Sequence, residues 1–407
     1  MTTDTTDIPR PVPRWLHTCA VLTAGITLFL LVLGQLVTSF RAGMADPIWP
    51  TEPWYLFVGG WQEPSRGYLI EHSHRIAGFA VGGAVAILVL GIWWTDPRRL
   101  ARWLGLIALI TLIAAFGQFH GALIAQRNAV EITIPTEPVI TMGVALAVVL
   151  LLGLWGVAVG ARGAGLQLLA VVALVAVMMQ GLLGGFRVRL DALFGPELAP
   201  IHGVFGQVVF AVLVAVAVLT ARPATGDLPD STRRILRHLS LVLVVLLFVQ
   251  LVWGAMVRHM PNSLNQRLHI LTAFLVVFTG GWLLRAGFSN PTARLRVGKA
   301  SWVLAGLLAI QVTLGVEAWM GKFGEEARSS QTASSYMSEI EKQAAIRTTH
   351  ALVGAGVLAT AVAFWLRIGA RARVEQVGVE IGERSVFSAR SSAVTLAGQV
   401  QPGESLL

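Results

Sequence analysis

Ten stretches of the chain are almost continuously apolar, and each is long enough to cross a bilayer, which takes about 20 residues of helix. They run approximately over 14–38, 73–95, 99–124, 136–160, 164–186, 201–221, 234–257, 267–286, 298–320 and 347–369. Polar segments separate them: a lead-in, MTTDTTDIPRPVPR, a Trp-, Pro- and Gly-rich stretch over 39–72, and a stretch over 321–346. The latter part of 321–346 reads as a short amphipathic helix. From 374 onward the apolar density falls, as expected of a mobile polar tail. The pattern predicts an all-α integral membrane protein with about ten transmembrane helices. The first run carries no small-residue cleavage site at its end and is expected to remain as an anchor.

Composition agrees. Of 407 residues, 55% are hydrophobic and 13% charged, and the mean hydropathy is +0.69, values that exclude an ordinary soluble domain. A net charge of +9 could signal nucleic acid, but its distribution says otherwise. The basic residues gather in alternate connections (Arg98, Arg99, Arg102, Arg233, Arg234, Arg237, Arg294, Arg296, Lys299), the bias of the cytoplasmic side. The expectation is a cell (inner or plasma) membrane protein with both termini cytoplasmic, surrounded by lipid and with no nucleic-acid partner. Cys19 is the single cysteine, so no intramolecular disulfide and no thiolate cluster is available. It reads as packing within the first helix.

A repeat organises the spans. Gln-x-x-x-Gly stands near the outer end of three helices, as QGLLG (Gln180, Gly184), QLVWG (Gln250, Gly254) and QVTLG (Gln311, Gly315), with a looser version, GQLVTS, around Gln35. After each comes a helix opening with a histidine: His74, His202, His269 and His350. His74 and His202 are 128 residues apart against 81 for His269 and His350, and the excess of 47 matches a helical hairpin. The expected architecture is two pseudosymmetric four-helix bundles plus an inserted hairpin. Residues 1–98 hold helices 1 and 2 of the N-terminal bundle, 99–160 the hairpin and 161–222 the rest of that bundle. Residues 223–373 form the C-terminal bundle and 374–407 the tail.

Ionisable groups within membrane helices default to a functional reading, and four equivalent histidines strengthen it. A small residue follows each one turn later: Gly78, Gly206, Ala273 and Gly354. Positions i and i+4 share a helix face, and a flat macrocycle held by the imidazole would lie against that turn. Small residues are also common at membrane helix contacts. Zinc would want three or four ligands at about 2 Å, usually with cysteine or carboxylate support. Two histidines on separate helices of a four-helix unit suit bis-axial haem iron better. Glu71, three residues before His74, projects a carboxylate on the same face. The matching positions are Ala199, Gln266 and Arg347, so only one unit has an acid, as if one site did chemistry and the other held an electron carrier. Glu71 also stands four residues from Arg75 and can pair with it. Arg75, Arg187, Arg258 and Arg347, near outer helix ends, are candidate propionate contacts or plain interfacial anchors. His17 and His238 read as interfacial, and His72 and His259 as outer-surface groups. His120, in the hairpin, lacks the small neighbour.

At these residues the chain resembles the haem A synthase family. The matching stretches are GQLVTSFRAGMADPIWP, EHSHRIAG, QGLLGGFRV with IHGVFGQ, QLVWGAMVRHM with LHILTA, and QVTLG with THALVGAG. The resemblance implies a membrane oxidoreductase that oxidises a methyl group of haem O to a formyl group through hydroxylated intermediates. It implies that His74 and His202 face the substrate haem O, that His269 and His350 hold a haem b cofactor, and that Glu71 is the catalytic acid. It further implies haem O synthase and terminal oxidase assembly factors as partners, and leaves a homo-oligomer open. Two departures stand out: the first outer loop lacks the cysteine pair many members carry, and helices 3 and 4 exceed the family's eight spans. The rivals are a quinol-linked bis-haem electron-transfer cytochrome and a secondary transporter with internal repeats.

Overall fold

The structure is a computed structural model that describes residues 12–43, 45, 49, 65–129, 133–194, 197–222, 228–326 and 333–369. Those residues form ten helices and no strand. They are α1 (Arg14–Ser39), α2 (Arg66–Trp94), α3 (Arg99–Ala125), α4 (Thr136–Ala158), α5 (Ala164–Phe194), α6 (Leu198–Thr220), α7 (Asp230–His259), α8 (Ser263–Ser289), α9 (Pro291–Glu326) and α10 (Ala333–Gly369). All ten are long and apolar enough to cross a membrane. Side chains such as Leu295 (90% exposed), Leu100 (74%) and Phe274 (69%) point outward. Apolar exposure on this scale suits hydrocarbon, not water. The chain is an all-α, multi-pass membrane protein.

Polar residues set several helix starts. Ser65 Oγ accepts the Tyr68 N–H at 3.2 Å ahead of α2, and Asn262 Oδ1 accepts the Asn265 N–H at 2.8 Å ahead of α8. Asn290 Oδ1 accepts the Ala293 N–H at 3.0 Å, with Pro291 as the first residue of α9, where its missing N–H costs nothing.

Packing gives two closed rings. α1 packs on α2, α2 on α5, α5 on α6 and α6 back on α1; α7, α8, α9 and α10 repeat the pattern. α3 and α4 pack on each other and rest on α2 and α5. One core, with Val85, Leu88, Trp93 and Leu213, fills the first ring and extends under the hairpin, while Leu236, Leu243, Leu283, Leu304 and Phe364 belong to the second. The rings meet where α1 and α6 lie against α10, and α6 against α7.

The helices outrun the apolar stretches that signal them. The second run begins near 73, yet α2 starts at Arg66; the last begins near 347, yet α10 starts at Ala333. At 37 residues α10 is roughly 55 Å long, well beyond a hydrocarbon core of about 30 Å. The short helix expected in 321–346 is therefore the leading part of α10. Its projecting turns are tied to neighbours by Glu341–Arg66 (2.7 Å) and Lys342–Glu317 (3.9 Å). The histidines consequently sit inside their helices, from about one turn in (α6) to nearly five (α10), rather than at the openings. The tail over 374–407 and most of 39–64 lie outside the described residues.

Candidate functional site

Each of the four histidines lies edge-on against a glycine of the preceding helix in its bundle. A Cβ built on Gly34 would stand 3.0 Å from His74 Cε1, on Gly184 3.0 Å from His202 Cε1, on Gly254 3.1 Å from His269 Cε1, and on Gly315 3.1 Å from His350 Cε1. A Cβ at any of these glycines would press on the imidazole, which would have to give by a few tenths of an ångström. The contacts join α1 to α2, α5 to α6, α7 to α8 and α9 to α10, all at one end of the molecule, the histidine end. They also correct the repeat. In α1 the equivalent glycine is Gly34, so the position matching Gln180, Gln250 and Gln311 is Leu30, not Gln35. Accordingly the His74 ring reaches the Leu30 backbone, as that of His350 reaches the Gln311 backbone.

The three glutamines reach toward the histidines. Gln180 Nε2 donates to the His202 carbonyl at 3.0 Å, while Gln250 Nε2 stands 3.4 Å from His269 Nε2 and Gln311 Nε2 3.3 Å from His350 Nε2. The small residues one turn after two of the histidines receive these amides: a Cβ at Gly206 would meet Gln180 Nε2 at 2.9 Å, and one at Gly354 would meet Gln311 Nε2 at 3.2 Å. Gly78 has nothing within 4 Å, and Ala273 is half-buried. Several buried atoms lack a hydrogen-bond partner among the described residues: Nδ1 of His74, His202 and His350, and Oε1 of Gln180, Gln250 and Gln311. An unsatisfied buried polar atom costs about 1–3 kcal/mol, and a repeated set of them calls for an explanation.

The histidines also pair within each bundle. The ring centres of His269 and His350 are 6.4 Å apart, with planes at 76°. Two metal–nitrogen bonds of about 2 Å, with about 1.1 Å from each nitrogen to its ring centre, put bis-axial imidazoles roughly 6.3 Å apart. The separation of the two ring centres is close to that span. In the other bundle the His74 and His202 rings lie within electrostatic range of each other. Among the described residues no group of three or more His, Cys, Asp or Glu converges as a metal site.

Glu71 is buried (4% exposed), and its Oε1 accepts from Arg75 Nη2 at 2.9 Å. The ion pair read from the i, i+4 spacing is formed, and it places charge beside His74 at a depth where an unpaired carboxylate would be costly. His72 departs from expectation. It is fully buried and stacks on Tyr68 at 5.0 Å, because α2 begins two turns before it and carries it into packing. The other arginines are placed as follows. The Arg187 guanidinium lies over Gly43, where a Cβ would be 2.9 Å from Nη2. Arg258 donates to Gln35 and Ser39 of α1, and it falls within electrostatic range of Arg347. Trp49, which sequence reasoning did not single out, packs its indole onto Gly185 and stands 5.9 Å from the Phe186 ring, covering α5 beside His202's glycine. Only its place in the segment PIWP hinted at this. His120 packs edge-on to Phe79 of α2 at 6.1 Å. His17, at the opposite end, is 3.2 Å from Thr220 Oγ1.

Comparison with known proteins gives no match: no family model, no curated protein and no solved structure.

Proposed function

We propose that the chain is a haem A synthase, a membrane oxidoreductase that converts a methyl group of haem O to a formyl group by stepwise oxidation. His74 and His202 bind the substrate haem, and His269 and His350 hold a haem b. The observation that carries the reading is the spacing of His269 and His350, whose ring centres, 6.4 Å apart, match bis-axial ligation of iron. When bound, haem b supplies one-electron chemistry.

The chain's own residues account for the rest. Glycines 34, 184, 254 and 315 hold the imidazole edges against the helix backbones, which fixes ring direction before any ligand arrives. Conversion of a methyl to a formyl group takes up one water and releases protons and electrons, the electrons passing to an acceptor outside the chain. As the methyl loses electrons, positive charge builds at its carbon. The Glu71 carboxylate, buried and fixed by Arg75, is suited to stabilise that charge and accept the released proton. The matching positions carry Ala199, Gln266 and Arg347, so only the His74 side has an acid. Arg187 and Arg347 provide cations for propionates, while Arg75 is taken up by Glu71 and Arg258 by Gln35 and Ser39. With Cys19 alone, no cysteine relay serves this chain. The basic connections opposite the histidine end orient that end outward in a cell membrane, with both termini cytoplasmic. Haem O synthase and oxidase assembly factors are the partners this reading implies.

Co-expression with a haem O source, followed by pigment extraction and mass analysis, is the test. The proposal expects haem A from the wild type, and from Glu71→Gln a protein that keeps its haem content but forms no formyl product. Bound haem with no haem A would make the chain an electron-transfer cytochrome instead. A colourless protein would favour a transporter, although the histidines lie in unbroken helices rather than the interrupted ones such carriers use.

A further inference from the structure

α1 belongs to the first bundle, α7 and α10 to the second, and at the histidine end their contact is polar. Arg258 Nη1 donates to Gln35 Oε1 at 2.7 Å; Nη2 donates to the Gln35 carbonyl at 3.1 Å and to Ser39 Oγ at 2.6 Å. Ser39 Oγ is in turn 2.8 Å from Thr348 Oγ1 on α10. Three of the four members are close in sequence to a residue of a histidine site. Gln35 follows Gly34, on which His74 rests; Arg258 lies one turn beyond Gly254, on which His269 rests; Thr348 precedes His350 by two residues.

The three acceptors of the Arg258 guanidinium on α1 are neutral dipoles. They orient the positive charge without cancelling it. Three directed bonds to one helix also use the rigid fork that distinguishes Arg from Lys. We infer that Gln35, Ser39, Arg258 and Thr348 form a bridge that couples the two histidine sites: a cation of the second bundle, aimed by the first, sets the electrostatic potential at the His269/His350 centre. Arg258 is then a positioning residue whose charge favours the reduced form of that centre. A displacement of α1 at the His74 site reaches the other site through the same bonds. This rests on the proposed haem at His269 and His350.

Redox titration of the purified, haem-loaded protein tests the bridge. Arg258→Gln should lower the midpoint potential of the His269/His350 centre. Ser39→Ala, in the other bundle and touching neither histidine, should shift it in the same direction by less. Arg258→Lys, which retains charge but loses the fork, should fall between wild type and Arg258→Gln. A purely structural arginine would reduce thermal stability and leave the potential unmoved, so unchanged potentials in Arg258→Gln and Ser39→Ala overturn the inference. If the wild type binds no haem, the proposed function fails on its own account. The inter-bundle contact alone is then judged by a double-mutant cycle of Arg258→Gln with Ser39→Ala in thermal unfolding: coupling supports the contact without its electrostatic role, and additivity overturns it.

Discussion

At the scale of single residues, the four Gly–His contacts make the firmest demand on sequence. A methyl group at Gly254 would sit 3.1 Å from His269 Cε1, whereas one at Gly281 on α8 would meet nothing within 4 Å. Gly254→Ala should therefore tilt the imidazole and reduce the haem retained per protein on purification. Gly281→Ala should leave haem content unchanged and gain up to about 1 kcal/mol of helix propensity. Equal haem in the two variants would contradict the account. The histidines were legible because each follows a Gln-x-x-x-Gly stretch or its looser form and stands at the start of an apolar run, and Glu71 because it stands three residues before one of them. The glycine's role was not, since Gln-x-x-x-Gly names the residue without saying what fills the space above it. Gln35 was misassigned for the same reason: only the contact with His74 reveals that the register runs through Gly34 to Leu30.

At the scale of elements, hydrophobic runs give the number and order of helices but not their ends. A run stops where lipid stops, while backbone hydrogen bonding continues into the polar zone, so α2, α9 and α10 extend past it. His72 changed from surface to core on that account alone. The link between α2 and α3 shows how a polar clasp fixes a turn that hydropathy leaves blank. Asp96 Oδ1 accepts from the Arg98 backbone N–H at 2.9 Å and from Nε at 3.0 Å, and Oδ2 accepts from Nη2 at 2.7 Å. Arg98 also lies over Trp155 of α4 at 5.2 Å, which ties the hairpin to the first bundle. Burial opposes ionisation of Asp96, yet these hydrogen bonds prevail and hold its carboxyl below the usual carboxylate range. A group with a depressed folded pKa contributes stability that is complete above its unfolded pKa, about 3.9. That contribution is lost as pH falls through the lower folded value. The thermal midpoint of the wild type should therefore drop more steeply below about pH 4 than that of Asp96→Asn. The variant should be the less stable of the two at pH 7. Parallel curves would remove Asp96 from the clasp.

At the scale of the whole molecule, two rings of four helices each carry two of the four histidines. The duplication was visible in sequence through the matched spacing of four histidines. The seam between the rings was not, because Arg258, Gln35, Ser39 and Thr348 lie far apart along the chain and share no pattern. The central claim is that His269 and His350 together ligate one iron porphyrin. The direct measurement is the visible absorption and electron paramagnetic resonance spectrum of the purified protein beside those of His269→Ala and His350→Ala. The account predicts a low-spin b-type signature in the wild type that disappears in both variants while the protein remains folded. A signature that survives either substitution unchanged would contradict it.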